Sequence, residues 1–195
     1  DKYHTYTFHI SFVELYNKTL TDLLDPSRTN LKIQGSSDPR NGVVVRGLSS
    51  TEVHTVDEAM ELMAHGEMNR AYHETNLNAS SSRSHVVFVV NTTKRQSVEG
   101  GGGRGGRGRG GDNDNNDNND DDVFSSLYMV DLAGSERVKK SGAFGPQLAE
   151  ARAINQSLAA LGNCINALSS KKNKGKSNTH VPYRSSKLTH LLSSN

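Results

Sequence analysis

Two apolar, strand-like runs in the second half of the chain are separated by a segment that cannot join a hydrophobic core. The runs are residues 86–91 and 123–130, and residues 97–122 between them consist mainly of Gly, Arg, Asp and Asn. Such a segment buries too little apolar surface to offset its ordering entropy, so we predict a disordered, low-complexity insertion. Since strands flank it, we expect it to enlarge a hairpin loop, and the cost of closing a longer loop grows only logarithmically.

The rest of the chain intersperses strand and helix patterns, which predicts an α/β fold. Alternating apolar residues predict a half-buried strand over residues 6–12, and residues 31–33 and 43–46 resemble short strands. A capping box from Thr55 to Glu58 predicts a helix that ends near Tyr72. Apolar residues at steps of three and four predict a long helix: Leu148, Ala151, Ile154, Leu158, Leu161, Ile165 and Leu168. A lysine-rich loop at 171–176 and a last helix near Tyr183 follow.

Charge is divided unevenly along the chain. Residues 1–122 contain 13 Lys and Arg against 18 Asp and Glu, whereas residues 123–195 contain 10 against 3. The basic C-terminal third favours an acidic partner, and a merely solvated basic face is the alternative. The one cysteine, Cys164, cannot form an internal disulfide, which fits a reducing compartment, and we expect it to be a packed thiol. No apolar stretch is long enough to cross a membrane.

The run that ends at Asp131 is the first feature that indicates chemistry. An apolar strand followed by Asp131 and, three residues later, Gly134 is typical of the nucleotide-sensing element of P-loop nucleotidases. In P-loop nucleotidases the aspartate holds Mg²⁺, and the glycine lets a backbone N–H approach a phosphate. The phosphate loop itself, G-x-x-x-x-G-K-[ST], is missing. Residues 175–177 imitate its end, but Ser170 occupies the position of its first glycine.

Four sequence motifs follow one another along the chain. They are residues 78–85 (NASSSRSH), 131–136 (DLAGSE), 154–162 (INQSLAALG) and 180–189 (HVPYRSSKLT). Together they resemble a kinesin motor domain, and the resemblance covers essentially the whole chain. It implies a P-loop nucleotidase-like motor fold with a central mixed sheet and helices on both faces. We expect residues 1–195 to be an incomplete part of that domain, since the phosphate loop of kinesins lies upstream.

The resemblance also implies ATP and Mg²⁺ as ligands and assigns site residues. Residues 78–85 would be switch I and residues 131–136 switch II, joined by an Arg83–Glu136 pair when ATP is bound. The catalytic residues would be Ser81, Arg83, Glu136 and Asn155. The nucleotide-binding residues would be Asn78, Ser82, Asp131 and Gly134. Of these, Ser82 would also bind Mg²⁺ directly and Asp131 would bind it through water. The simpler alternative for serines before a strand is local capping of the backbone.

The implied partner is the acidic surface of a microtubule, which places the protein in the cytoplasm on the cytoskeleton. The residues that would face tubulin are Arg137, Lys139, Lys140, Lys171, Lys172, Lys174, Lys176, Arg184 and Lys187. Two positions depart from the family pattern, because Ser185 stands where kinesins usually have Asp and His190 where a charged residue is common. Oligomerisation through a stalk outside this chain is compatible with the resemblance.

The expected function is therefore ATP hydrolysis coupled to microtubule movement in the full-length protein, with the isolated piece inactive because it lacks the phosphate loop. One alternative is a kinesin-like microtubule binder that does not hydrolyse ATP. RNA binding through the Arg/Gly run is disfavoured, since the run has three arginines, no aromatic residue and an adjacent acidic block. The histidines lack metal-ligand spacing, and we expect His85 to anchor the switch loop rather than to transfer protons.

Overall fold

The computed structural model describes residues 2–36, 42–77, 81–98, 122–135, 145–173 and 180–194. The strands are β1 Lys2–Tyr16, β2 Thr19–Asp22, β3 Lys32–Gly35, β4 Val43–Arg46, β5 Thr51–Val53, β6 Ser84–Val98 and β7 Val123–Asp131. The helices are α1 Val56–Leu77, α2 Pro146–Asn173 and α3 Lys187–Leu191, with 3-10 turns at Ser81–Arg83, Tyr183–Ser185 and Leu192–Ser194. Strands and helices are interspersed, as the sequence predicted.

The main sheet has the strand order β2-β1-β6-β7, and β5 also pairs with β1. Strand β1 accommodates two neighbours on one edge, because residues 8–10 pair with β5 and residues 13–16 pair with β2. Strands β3 and β4 form a separate hairpin. All pairings among the described strands are antiparallel, so the parallel pairs of the expected mixed sheet are not found in this part of the chain.

One face of the sheet packs against α1. Phe12 of β1 and Phe88 of β6 meet edge to face with their ring centroids 5.1 Å apart, and Leu62 and Met63 of α1 pack on their cluster. Gly66 lies where the helix meets the ring of Phe12, and a Cβ at that position would clash with the ring. The close approach of α1 to the sheet therefore requires glycine.

The opposite face packs against α3 and α2. Val13 and Leu15 of β1 belong to a second core cluster with Leu188 and Leu191 of α3, and Leu161 of α2 packs against it. Each fully buried aliphatic side chain contributes about 1.5–3 kcal/mol through its removal from water. Helices thus cover both faces of the sheet, as predicted.

Two helices are longer than the sequence predicted. Helix α1 continues past Tyr72 to Leu77, because the intervening residues include neither Gly nor Pro to end it. Helix α2 extends to Asn173, so Lys171 and Lys172 belong to its last turn and not to a loop.

Two apolar patterns are less buried than predicted. The apolar run that forms β7 favours a buried strand, yet Leu127 is 59% exposed and Met129 41%, because β7 is an edge strand of the described sheet. In α2, Ile165 and Leu168 are exposed because no described element covers that side of the helix. Cys164 is buried, which confirms the packed thiol.

Strands β6 and β7 are antiparallel neighbours, so the chain between them connects a hairpin. Most of the predicted insertion, residues 99–121, lies outside the described residues, and its disorder stays a prediction. Within the described ranges, no helix is both long and apolar enough to cross a membrane.

Candidate functional site

The register of the β6–β7 hairpin brings the two predicted switch motifs together. Val86, near the start of β6, lies opposite Asp131, the last residue of β7. The 3-10 turn that precedes β6 and the loop that follows β7 therefore meet at one edge of the sheet. The turn carries Ser81–Arg83, and the loop carries Gly134.

A direct hydrogen bond joins the turn and the loop. The backbone N–H of Gly134 donates to the carbonyl oxygen of Ser82 over 2.7 Å. The sequence assigned this N–H to a terminal phosphate, but here it already has a protein acceptor. A phosphate that took this donor would have to break the bond to Ser82, so the contact distinguishes two arrangements of the loops.

His85 follows the 3-10 turn directly and links the loop after β7 to helix α2 through hydrogen bonds. Its Nδ1 accepts a hydrogen bond from the N–H of Ala133 over 3.0 Å, so the neutral ring carries its proton on Nε2. Nε2 lies 2.6 Å from Oγ of Ser157, whose hydroxyl donates to the carbonyl of Ile154. The ring is 2% exposed, and this burial lowers the pKa of His85 although Asp131 acts in the opposite direction. His85 therefore anchors the loops as expected.

Asp131 is paired with an arginine that the sequence did not single out. Nη1 of Arg70, on α1, lies 3.1 Å from Oδ2 of Asp131, and the arginine side chain is only 7% exposed. The aspartate side chain is 69% exposed and makes no hydrogen bond through Oδ1 to another described residue. One oxygen is thus fixed by a buried cation, and the other is open to a metal-bound water.

Arg83 pairs with a carboxylate on α2 in this structure. Its Nη1 lies 3.3 Å from Oε2 of Glu150, whose side chain is 9% exposed, while Arg83 is 36% exposed. Oε1 of Glu150 is buried without a hydrogen bond from the described residues. Burial raises the pKa of the nearby Tyr16, and the Glu150 carboxylate raises it further. The expected partner, Glu136, lies outside the described residues.

The remaining predicted nucleotide residues are placed as follows. Ser81 and Ser82 lie in the 3-10 turn, with Ser82 exposed. Asn155 is half-buried in the third turn of α2, further into the helix than predicted. Asn78 lies outside the described residues.

The donor set around the turn suits Mg²⁺ better than a transition metal. A serine hydroxyl and one carboxylate oxygen are hard ligands, and Mg²⁺ keeps several waters and binds substrate phosphates. Among the described residues there is no group of three or more His, Cys, Asp or Glu side chains that could hold a metal alone.

The predicted basic surface is only partly described. Arg184 is exposed in a 3-10 turn and Lys187 half-buried at the start of α3, and Lys171 and Lys172 are in the last turn of α2. The other predicted members, Arg137, Lys139, Lys140, Lys174 and Lys176, lie outside the described residues.

Sequence reasoning missed Arg70, Glu150 and Ser157. Arg70 and Glu150 are charged residues within helical patterns, and only their burial to 6% and 7% exposure distinguishes them. Charged residues are seldom buried unless they are paired. Ser157 lies within the third motif, and its spacing of three from Ile154 was the available signal.

Comparisons with known proteins show which sequences and structures this chain resembles. The family model described as the kinesin motor domain matches residues 1–195. A kinesin heavy chain from Syncephalastrum racemosum is 43% identical over 187 residues, which cover 96% of this chain and 17% of that protein. A solved structure of a fast kinesin superposes with a TM-score of 0.72 at 40% identity, covering 97% of this chain and 46% of that one. A structure named kinesin 6 gives a TM-score of 0.75 at 32% identity with the same coverage. The chain thus spans about a sixth of the length of such a curated relative and under half of each solved chain.

Proposed function

The chain belongs to the kinesin motor-domain family, and from this we propose that it forms the switch and microtubule-binding part of a motor that couples ATP hydrolysis to movement along microtubules. The observation that carries the proposal is the 2.7 Å hydrogen bond from Gly134 to Ser82, which links the two loops that would sense the nucleotide. Family membership over residues 1–195 supports it.

The residues present fit Mg²⁺ and the terminal phosphate of ATP. The hydroxyl of Ser82 and, through water, the free oxygen of Asp131 would hold the metal, which neutralises phosphate charge when bound. Arg70 keeps Asp131 oriented, since it fixes the other carboxylate oxygen. Ser81 would orient the attacking water with Asn155, and Asn78 would contact the phosphates.

Arg83 is the proposed reporter of nucleotide state. In this structure its guanidinium ties the turn to Glu150 of α2 over 3.3 Å. When ATP is bound, the guanidinium would pair with Glu136 and join the two switches. Gly134 would then donate to the terminal phosphate instead of Ser82. The state of the nucleotide is thereby passed to α2 through one side chain and one backbone bond.

Helix α2 would carry this signal to the microtubule. Its last turn holds Lys171 and Lys172, and Arg184 and Lys187 lie on the next elements. The net positive charge of residues 123–195 supports attraction to acidic tubulin. That attraction would weaken with salt, because the Debye length is about 8 Å at physiological ionic strength. We place the protein on cytoplasmic microtubules accordingly.

ATP turnover of the full-length protein, measured with and without microtubules, tests the proposal. We expect stimulation by microtubules in the unaltered protein and its loss in Arg83→Ala and in Glu136→Ala. Unchanged turnover in both variants would refute the proposed Arg83–Glu136 pair. The 195 residues alone should bind ATP poorly, because they contain no phosphate loop.

A kinesin-like microtubule binder without ATPase activity is the second candidate, and the net positive charge of residues 123–195 supports it equally. It predicts co-sedimentation with microtubules and no turnover above background in the full-length protein. Stimulated turnover would exclude it.

A further inference from the structure

A cavity of about 210 Å³, lined in part by Arg83, lies where four elements meet. It is bounded by the β1–β2 turn, the 3-10 turn before β6, helix α2 and the start of α3. We refer to it as the junction cavity. Among the described residues, none that would hold Mg²⁺ or the terminal phosphate lines it, and we treat it as distinct from the proposed nucleotide site.

The lining of the junction cavity is cationic. Lys18, Arg83 and Lys187 line it beside apolar side chains, and no Asp or Glu of the described part of the chain does. Glu150 neutralises part of the charge of Arg83 from outside the lining, but the two lysines have no carboxylate partner among the described residues. Burial lowers the pKa of Lys187, and the charge of nearby Lys32 lowers it further. An anion in the cavity would relieve this unfavourable placement of charge.

Hydrogen-bond donors complete the lining. Asn17, Gln156 and Ser185 line the cavity, and their side chains make no hydrogen bond with another described residue. In contrast, the hydroxyl of Ser186 is engaged in capping α3, where it accepts from the N–H of Thr189. Amide and hydroxyl donors beside cations are the groups that bind a phosphate oxygen.

The backbone at Lys18 is strained. Strands β1 and β2 pair Tyr16 with Thr19, so Asn17 and Lys18 form a two-residue hairpin loop. Their φ angles are 43° and 66°, in the left-handed region. Asparagine tolerates that region, but a lysine there is less favourable than a glycine, because its Cβ crowds the following carbonyl oxygen. The lysine is therefore held at this position against its backbone preference.

We propose that the junction cavity binds a small anion that carries one phosphate group, either inorganic phosphate or a phosphomonoester. Three cations with a planar guanidinium among them match phosphate better than chloride. The volume is below the roughly 300–1,000 Å³ of sites for drug-sized ligands, so a whole nucleotide is too large. Because Arg83 lines the cavity and also pairs with Glu150, the anion would compete with Glu150 for this guanidinium.

Inorganic phosphate is the probe for the test, compared with chloride at equal ionic strength. Binding to the full-length protein is measured by equilibrium dialysis with labelled phosphate, and Mg²⁺ with ADP is kept saturating throughout. The informative variant is Lys18→Gly, because glycine relieves the strained turn. It should raise the thermal midpoint and at the same time weaken phosphate binding roughly tenfold, as expected for one lost charge-assisted hydrogen bond.

Lys187→Gln should weaken binding by a similar factor, while Lys32→Gln, which removes a neighbouring lysine outside the lining, should not. Ser185→Asp should abolish binding because it places a carboxylate in the cavity. Phosphate binding that is absent, or that is indifferent to Lys18→Gly and Lys187→Gln, overturns the proposal. A parallel titration with glycerol phosphate identifies the source: equal affinity indicates a phosphomonoester site, and much weaker affinity indicates free phosphate.

Discussion

Replacement of His85 by phenylalanine tests how the two switch loops are held to α2. Phenylalanine keeps most of the volume of the ring, which is 2% exposed, but removes both nitrogens. The acceptor of the Ala133 N–H and the partner of the Ser157 hydroxyl are lost together.

The cost can be worked from these two bonds. The Ala133 N–H is left buried without an acceptor, at about 1–3 kcal/mol. The Ser157 hydroxyl keeps its bond to the Ile154 carbonyl, so the loss there is a net hydrogen bond of about 1 kcal/mol. The total is about 2–4 kcal/mol, a large share of the 5–15 kcal/mol that stabilises a typical domain.

This cost is measured by urea unfolding of the full-length protein near neutral pH. His54→Phe is the matched control, because the His54 side chain is exposed and its replacement should change the free energy of unfolding by less than about 0.5 kcal/mol. A loss below about 1 kcal/mol for His85→Phe, or equal losses for the two variants, would refute the anchoring role.

The same variant should change the pH dependence of stability. Burial lowers the pKa of His85 in the folded protein below its ordinary value of 6.5. The unfolded state therefore binds more protons below that value, and stability present above pH 6.5 is lost as the pH falls toward the folded pKa. The pKa of His190 is lowered in the same direction, so only the difference between wild type and His85→Phe isolates His85. Superimposable pH profiles would contradict this reasoning.

Three further changes probe other parts of the account. Gly66→Ala should lower the free energy of unfolding by about 1–3 kcal/mol in urea titrations, since the added Cβ meets the Phe12 ring; an unchanged midpoint would show that α1 shifts freely. Asp22→Ala should lower the free energy of unfolding by about 3 kcal/mol or more, because the Asp22 carboxylate accepts hydrogen bonds from the N–H groups of Leu24, Asp25 and Ser49. Asp22→Asn should lower it by less, and equal losses for the two variants would count against the acceptor role. Glu150→Gln should reduce microtubule-stimulated turnover about fivefold through the weakened Arg83 pair. The matched change Glu61→Gln, at an exposed residue of α1, should leave turnover unchanged.

The sequence predicted those parts of the fold that depend on local periodicity. The alternation in β1 and the capping box of α1 have direct counterparts, since Glu58 donates its N–H to Thr55 and accepts from the His54 N–H. The end of α1 was missed because helix ends depend on packing where no Gly or Pro intervenes. The exposure of β7 was missed because the apolar composition of a strand does not show whether the strand lies at the centre or at the edge of a sheet.

The candidate site, like the fold, was predicted from the sequence only in part. Motif resemblance assigned candidate roles to Ser82, Asp131 and Gly134, but it did not predict which protein groups they contact. The contacts of Arg70 and Glu150 join residues 61 and 67 positions apart in the chain, so no local pattern encodes them. The antiparallel register of β6 and β7 brings Asp131 and the turn that carries Arg83 to one edge of the sheet, where Arg70 of α1 and Glu150 of α2 pair with them.

Arg83 and Gly134 should change partners when a terminal phosphate is bound. An experimental structure of the full-length protein with Mg²⁺ and a hydrolysis-resistant ATP analogue measures this directly. We predict the Arg83 guanidinium within about 4 Å of the Glu136 carboxylate, the limit for an ion pair, and the Gly134 N–H directed at the terminal phosphate. A structure in which Gly134 still donates to Ser82 and Arg83 contacts only Glu150 would contradict the account.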